Sequence, residues 1–112
     1  VNTGKTVYQV SETISAVLKN QTSSPAYFGH CNFRIGFYIE RNENGLWVDA
    51  GNIAITCEAL YPTGIKQLQP GESSPDTFAL TQAGTYRLRF PFARIAGYTE
   101  LQSIFSNTFT VR

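Results

Sequence analysis

The chain has 112 residues, of which 42% are hydrophobic and 15% charged, with a formal net charge of +1. That length and apolar content suit one domain spanning residues 1–112 with a real core. The near-neutral balance offers no basic stripe for phosphates, which excludes nucleic acid as a partner, and no apolar run approaches the roughly 18 residues needed to cross a bilayer.

Eight Phe, six Tyr and one Trp favour an all-β fold over a helical bundle. The sequence starts at Val1 and has no Met, as expected of a processed chain or excised domain whose signal peptide would already be missing. Thr6 to Val10 reads as a first strand, with a kink at Ser11-Glu12. Thr13 to Asn20 alternates cleanly, placing Ile14, Ala16 and Leu18 inward. Residues 21 to 29, centred on Ser23-Ser24-Pro25, read as a loop. From Cys31 to Arg41 the alternation is unbroken, with Cys31, Phe33, Ile35, Phe37 and Ile39 on one face. Asn44-Gly45 then signals a hairpin that returns through Leu46-Trp47-Val48.

A three-residue loop, Glu43-Asn44-Gly45, sets Asn42 opposite Leu46. That register carries Ile53 opposite Ile35 and Cys57 opposite Cys31. It also sets Asp49 opposite Ile39, so a bulge at Gly51 or an earlier end to the ladder is expected. Directly opposed cysteines have Cβ atoms near bonding reach, which predicts a Cys31–Cys57 disulfide and an oxidising compartment: secreted, periplasmic or cell-surface.

Further along, Tyr61 to Gly64 and Pro70 to Glu72 are turns, and Ile65 to Leu68 and Thr77 to Leu80 are short strands. Thr85 to Phe92 alternates Tyr86, Leu88, Phe90 and Phe92 against Arg87 and Arg89. Residues 93 to 104 read as an irregular excursion with a helical turn near Thr99 to Ile104, and Asn107 to Val111 closes the domain. The seven to eight antiparallel strands are the count of an immunoglobulin-like β-sandwich, with a closed barrel as the rival architecture.

Several pieces occur in a telling order: Tyr8-Gln9-Val10-Ser11-Glu12 leading to Leu18-Lys19-Asn20, then Gly45-Leu46-Trp47-Val48. Leu68-Gln69-Pro70-Gly71-Glu72-Ser73, Ala83-Gly84-Thr85-Tyr86-Arg87-Leu88 and Ser106-Asn107-Thr108-Phe109-Thr110-Val111 follow. Together they resemble the immunoglobulin-like domains of bacterial secreted and cell-envelope proteins. Gly84-x-Tyr86 is similar to the tyrosine corner of such folds, which makes Trp47, Gly84 and Tyr86 structural residues. The chain departs from antibody-type domains: Leu88 stands where those carry cysteine, and Trp47 follows the first central hairpin turn instead of preceding it. The resemblance implies a non-catalytic accessory or interaction module of a bacterial extracytoplasmic protein, lipid-anchored in some precursors of this kind. The alternative is a specific binder on the same scaffold, either a proteinase inhibitor or a glycan-binding domain.

The residues themselves argue against an enzyme. His30 beside Cys31 lacks the companion ligands of a metal site, and no cofactor motif occurs. Glu40, Glu43, Asp49, Glu72 and Asp76 occupy positions where solvated turn carboxylates are ordinary, not the paired geometry of a glycosidase. Asn20-Gln21-Thr22 matches the glycosylation acceptor pattern, a short and common one. Arg34, Arg87 and Arg89 are expected on a solvated sheet face, with Glu40 as a partner, and Trp47 in the core. Two long aromatic-bearing loops are expected at one end of the domain, opposite the Asn44-Gly45 hairpin. They gather Tyr27, Phe28, His30, Arg94, Tyr98 and Glu100 as a candidate contact surface for a protein or glycan.

Overall fold

A computed structural model describes residues 1–31, 34–52, 64–94 and 100–112. Strands and turns make up the described residues, and no helix among them is long and apolar enough to cross a membrane. Short ladders begin the chain: β1 (Asn2–Thr3), β2 (Val7–Tyr8), β3 (Ile14–Lys19), β4 (Ala26–Cys31) and β5 (Arg34–Ile35). The central hairpin is β6 (Tyr38–Glu43) and β7 (Leu46–Asn52), followed by β8 (Gly64–Leu68) and β9 (Ser73–Phe78). The longest strand, β10 (Gly84–Phe92), precedes β11 (Gln102–Phe105) and β12 (Phe109–Val111).

Three sheets result among the described residues. The largest runs β2-β12-β10-β6-β7, with β11 also on β10; the others run β1-β3-β9 and β5-β4-β8. Most ladders are antiparallel, but β2 lies parallel to β12. The buried side chains converge on one core: Ile14, Ala16 and Leu18 of β3 face the side of β10 that carries Tyr86, Leu88 and Phe90. Aromatic contacts stitch the layers. Phe37 stacks on Phe90 at 5.0 Å between ring centroids, and Phe78 of β9 meets Phe109 of β12 at 6.3 Å.

Several expectations need correction. The hairpin loop is two residues, not three: Glu43 pairs with Leu46, and both Asn44 (φ 55°) and Gly45 (φ 87°) are left-handed, as a type I′ turn requires. Two-residue loops match the twist of the flanking strands, so the shorter closure wins. The ladder then slips between Tyr38 and Glu40, and Tyr38 faces Asn52. The run from Cys31 to Arg41 is not one strand: Cys31 ends β4, Arg34–Ile35 is β5 and Tyr38 opens β6, with Cys31 paired back on Arg34 and His30 on Ile35. The register argument that set Cys57 opposite Cys31 therefore fails, and Cys57 itself lies outside the described residues. So do Phe33, Ile53 and the Tyr61-Pro62-Thr63 part of the expected turn.

Ala26 to Cys31 is a strand and not loop, paired with β8 from Ala26↔Leu68 to His30↔Gly64. β9 begins at Ser73, earlier than the expected Thr77, and tolerates Pro75 because it is a sheet edge where the missing N–H goes unused. Gln102–Phe105 is a strand on the far half of β10, not a helical turn. Ser106 manages the jog between β11 and β12: its N–H donates to the Leu88 carbonyl (3.0 Å), and its Oγ accepts the Leu88 N–H (2.8 Å).

Candidate functional site

Period two puts Arg87 and Arg89 on the face of β10 away from the core. Across the ladder, Arg87 is the register partner of Glu40 and Arg89 of Tyr38, so the three polar groups share that outward face. Glu40 divides its carboxylate between them. Arg87 Nε donates to Oε1 at 2.8 Å and Arg89 Nε to Oε2 at 3.0 Å. The side chains are 24% (Arg87), 29% (Arg89) and 13% (Glu40) exposed, which is deep enough for charge-assisted bonds to hold geometry.

Aromatic rings complete the arrangement. The Arg87 guanidinium carbon is 4.4 Å from the Trp47 ring centroid and 4.1 Å from that of Phe105; Arg89 sits 4.3 Å from the Tyr38 ring. These are cation–π distances, and the guanidinium planes cover apolar ring area that would otherwise meet water. Phe105 reaches this face because the Ser106 jog ends β11 beside Arg89. The outcome is a partly exposed cluster of Trp, Tyr, Phe and Arg on a rigid sheet.

A second concavity opens at one end of the fold, where the chain leaves β3 and β10. Ala93 and Tyr27 exchange backbone hydrogen bonds of 2.9 Å each, joining these loops. Asn20, 6% exposed, organises the rim: its Nδ2 donates to the carbonyls of Ser24 and Leu68, and its Oδ1 accepts from Thr22 N and Oγ1. Arg94 Nη1 donates to Thr22 Oγ1 at 3.0 Å, and its guanidinium lies 5.1 Å from the Phe92 centroid. Beneath this rim is a cleft of about 190 Å³ with Leu18, Ala26, Phe28 and Phe92 in its wall.

The structure thus brings together part of the contact surface expected from sequence. Arg94 is exposed, Tyr27 is half-buried, and Glu100 is exposed with a left-handed backbone (φ 57°). Phe28 is not a surface anchor: it is 3% exposed and packs on Phe92 at 5.9 Å, because β4 turns it into the core. Tyr98 lies outside the described residues, as does the side chain of His30. At the hairpin end, the Tyr86 ring is buried and its hydroxyl donates to the Gln82 carbonyl at 2.8 Å. A Cβ on Gly84 would sit 3.1 Å from Arg41 Cδ and 3.3 Å from the Tyr86 ring, so a side chain there would require these neighbours to shift by a few tenths of an ångström. Trp47 belongs to the outward face and not to the core. Asn20 cannot serve as a glycan acceptor in the folded chain, since burial and two donated bonds occupy its amide nitrogen.

Sequence reasoning missed Phe105 as a member of the outward cluster and expected Trp47 in the core. The Arg87-x-Arg89 spacing carried a usable signal, since it places both cations on one face; the Ser106 jog that delivers Phe105 has none. No protein-family model matches this chain, and no curated protein or solved structure shows significant similarity to it.

Proposed function

We propose that the chain is a non-catalytic, immunoglobulin-like interaction module of a bacterial extracytoplasmic protein. In this reading it engages a protein partner through the outward face around Arg87. The observation that carries it is Arg87 itself, seated between Trp47 and Phe105 and tied to Glu40. Trp, Tyr and Arg dominate the energetics of protein interfaces, and a pre-ordered arginine loses little freedom on binding. The immunoglobulin-like part draws support from strand order. β2-β12-β10-β6-β7 against β1-β3-β9 is the order of a variable-type domain's A′GFCC′ and ABE strands, with Tyr86 on the strand that carries the tyrosine corner.

A glycan platform is the second reading, and the same cluster disfavours it. Sugars stack on open ring faces, whereas Arg87 already covers faces of Trp47 and Phe105. Site-specific photocrosslinking in the host distinguishes the two. A probe at Ser103, on the outward face, is expected to capture a discrete protein, with capture lost in Arg87→Ala and absent from a probe at Ser15 on β3. Capture that survives Arg87→Ala overturns the protein-contact reading. Retention on a glycan array that disappears in Trp47→Ala establishes the second.

A further inference from the structure

The terminal cleft is built differently from the outward face. Its floor is apolar and continuous with the core, under a polar rim of Lys19 to Thr22 and Arg94: Leu18, Ala26, Phe28 and Phe92 are all 8% exposed or less, and Ile104 closes one side. Lys19 and Arg94 line it, and no Asp or Glu does among the described residues. Only Nη1 of Arg94 is engaged; Nε and Nη2 have no hydrogen-bond partner among the described residues. The guanidinium is not a loose surface group, because Thr22 and the Phe92 ring hold it at the rim, and Asn20 in turn holds Thr22.

An apolar recess beneath a positioned, half-used guanidinium has a definite complement. We infer that the cleft is a binding site for a small apolar carboxylate, whose acid group pairs with Arg94 while its hydrocarbon lies against the apolar floor formed by Phe28, Phe92 and Ile104. Size agrees. A dry apolar cavity of ~150 Å³ admits one benzene ring, and this cleft offers about 190 Å³. That space limits the apolar part to a single ring or a short branched chain. Charge agrees as well, since a planar fork whose Nε and Nη2 are unused among the described residues matches a carboxylate in two-point geometry, and no described lining residue is acidic. The acid could be a free arylalkanoate or the carboxyl end of a peptide finishing in an aromatic residue; the chemistry recognised is the same.

Titration of the 15N-labelled chain with 3-phenylpropionate tests this, with 3-phenylpropionamide as the neutral control. Shift changes are expected at the amides of Leu18, Ala26, Phe28, Phe92 and Arg94, saturating for the acid and about tenfold weaker for the amide. Arg94→Met keeps the apolar rim and is expected to weaken the acid by about tenfold while leaving the amide unchanged. Its unperturbed spectrum away from the cleft confirms folding, and Arg94→Lys recovers part of the affinity. Parallel titration with a tripeptide ending in Phe, as free acid and as C-terminal amide, separates the sources. Tighter binding of the peptide acid assigns a chain terminus, and binding of 3-phenylpropionate alone assigns a free small acid. No saturable shift with either acid, or equal affinity for acid and amide in wild type and Arg94→Met, overturns the inference.

Discussion

Glu40 orients two arginines with one carboxylate, so its removal has an effect beyond a single lost pair. Glu40→Gln removes the carboxylate that Arg87 and Arg89 share, among side chains less than one-third exposed. Partial solvent screening limits the cost to about 1–2 kcal/mol, read as a lower urea midpoint. Arg89→Met, which removes one pair and leaves Glu40 its other, is expected to cost less, and equal losses would mean the two pairs are not coupled. Tyr86→Phe removes the bond to Gln82 and is expected to cost about 1 kcal/mol, with the ring still packed on Phe109. Glu12 shows the pH dependence of such contacts. Its hydrogen bond from Lys5, then that from the Gln9 N–H, holds its carboxyl below the usual range. A lowered native pKa means the contribution is present above the unfolded value and lost as pH falls through the native one. In Lys5→Met, NMR titration should therefore find the Glu12 midpoint raised; an unmoved midpoint would show that the lysine does not hold it.

At the scale of elements, the β6–β7 turn makes the sharpest claim. Gly45 has open space around a Cβ, so only its backbone conformation resists substitution. Gly45→Ala is expected to cost about 1 kcal/mol through left-handed strain alone, measured by equilibrium denaturation. A loss well above that would point to a packing role the open surroundings do not suggest. This turn was legible from Asn44-Gly45, and β3 and β10 from alternation, because each has one buried and one wet face. Ile35, Phe37 and Ile39 are buried as their phase requires. Alternation nonetheless could not reveal that Cys31 and Ile39 belong to different ladders, since a strand that turns back keeps its period of two. β4 was hidden by Pro25 and Gly29, which punctuate a loop as readily as they border a strand. β11 was hidden because Gln-Ser-Ile-Phe has no alternating pattern; it is extended because the far half of β10 offers it hydrogen bonds. The outward cluster was half legible, since alternation put Arg87, Arg89 and Glu40 on solvated faces, while the cleft needed three dimensions to join Asn20 with Arg94.

For the whole molecule, the decisive quantity is one shared core. Leu88, fully buried at its centre, is held between the layers by packing alone. Leu88→Ala is expected to cost about 2–5 kcal/mol by opening a cavity between the layers, seen as a fall in thermal midpoint. The extracytoplasmic proposal has its own whole-chain test. If the compartment is oxidising, unreduced mass spectrometry should find the two cysteines bridged despite the failed register argument, and two freely alkylated thiols would count against it. The parallel pairing of β2 with β12 carries a mechanical consequence. Thr110 N–H donates to Thr6, Arg112 N–H to Tyr8 and Val10 N–H to Arg112, so segments from opposite ends of the sequence run side by side in the same direction. Tension applied along them through the flanking chain would load those bonds together in shear, whereas an antiparallel pair pulled from one end peels bond by bond. A module tethered on both sides would thus resist stretching at the point where its two ends meet.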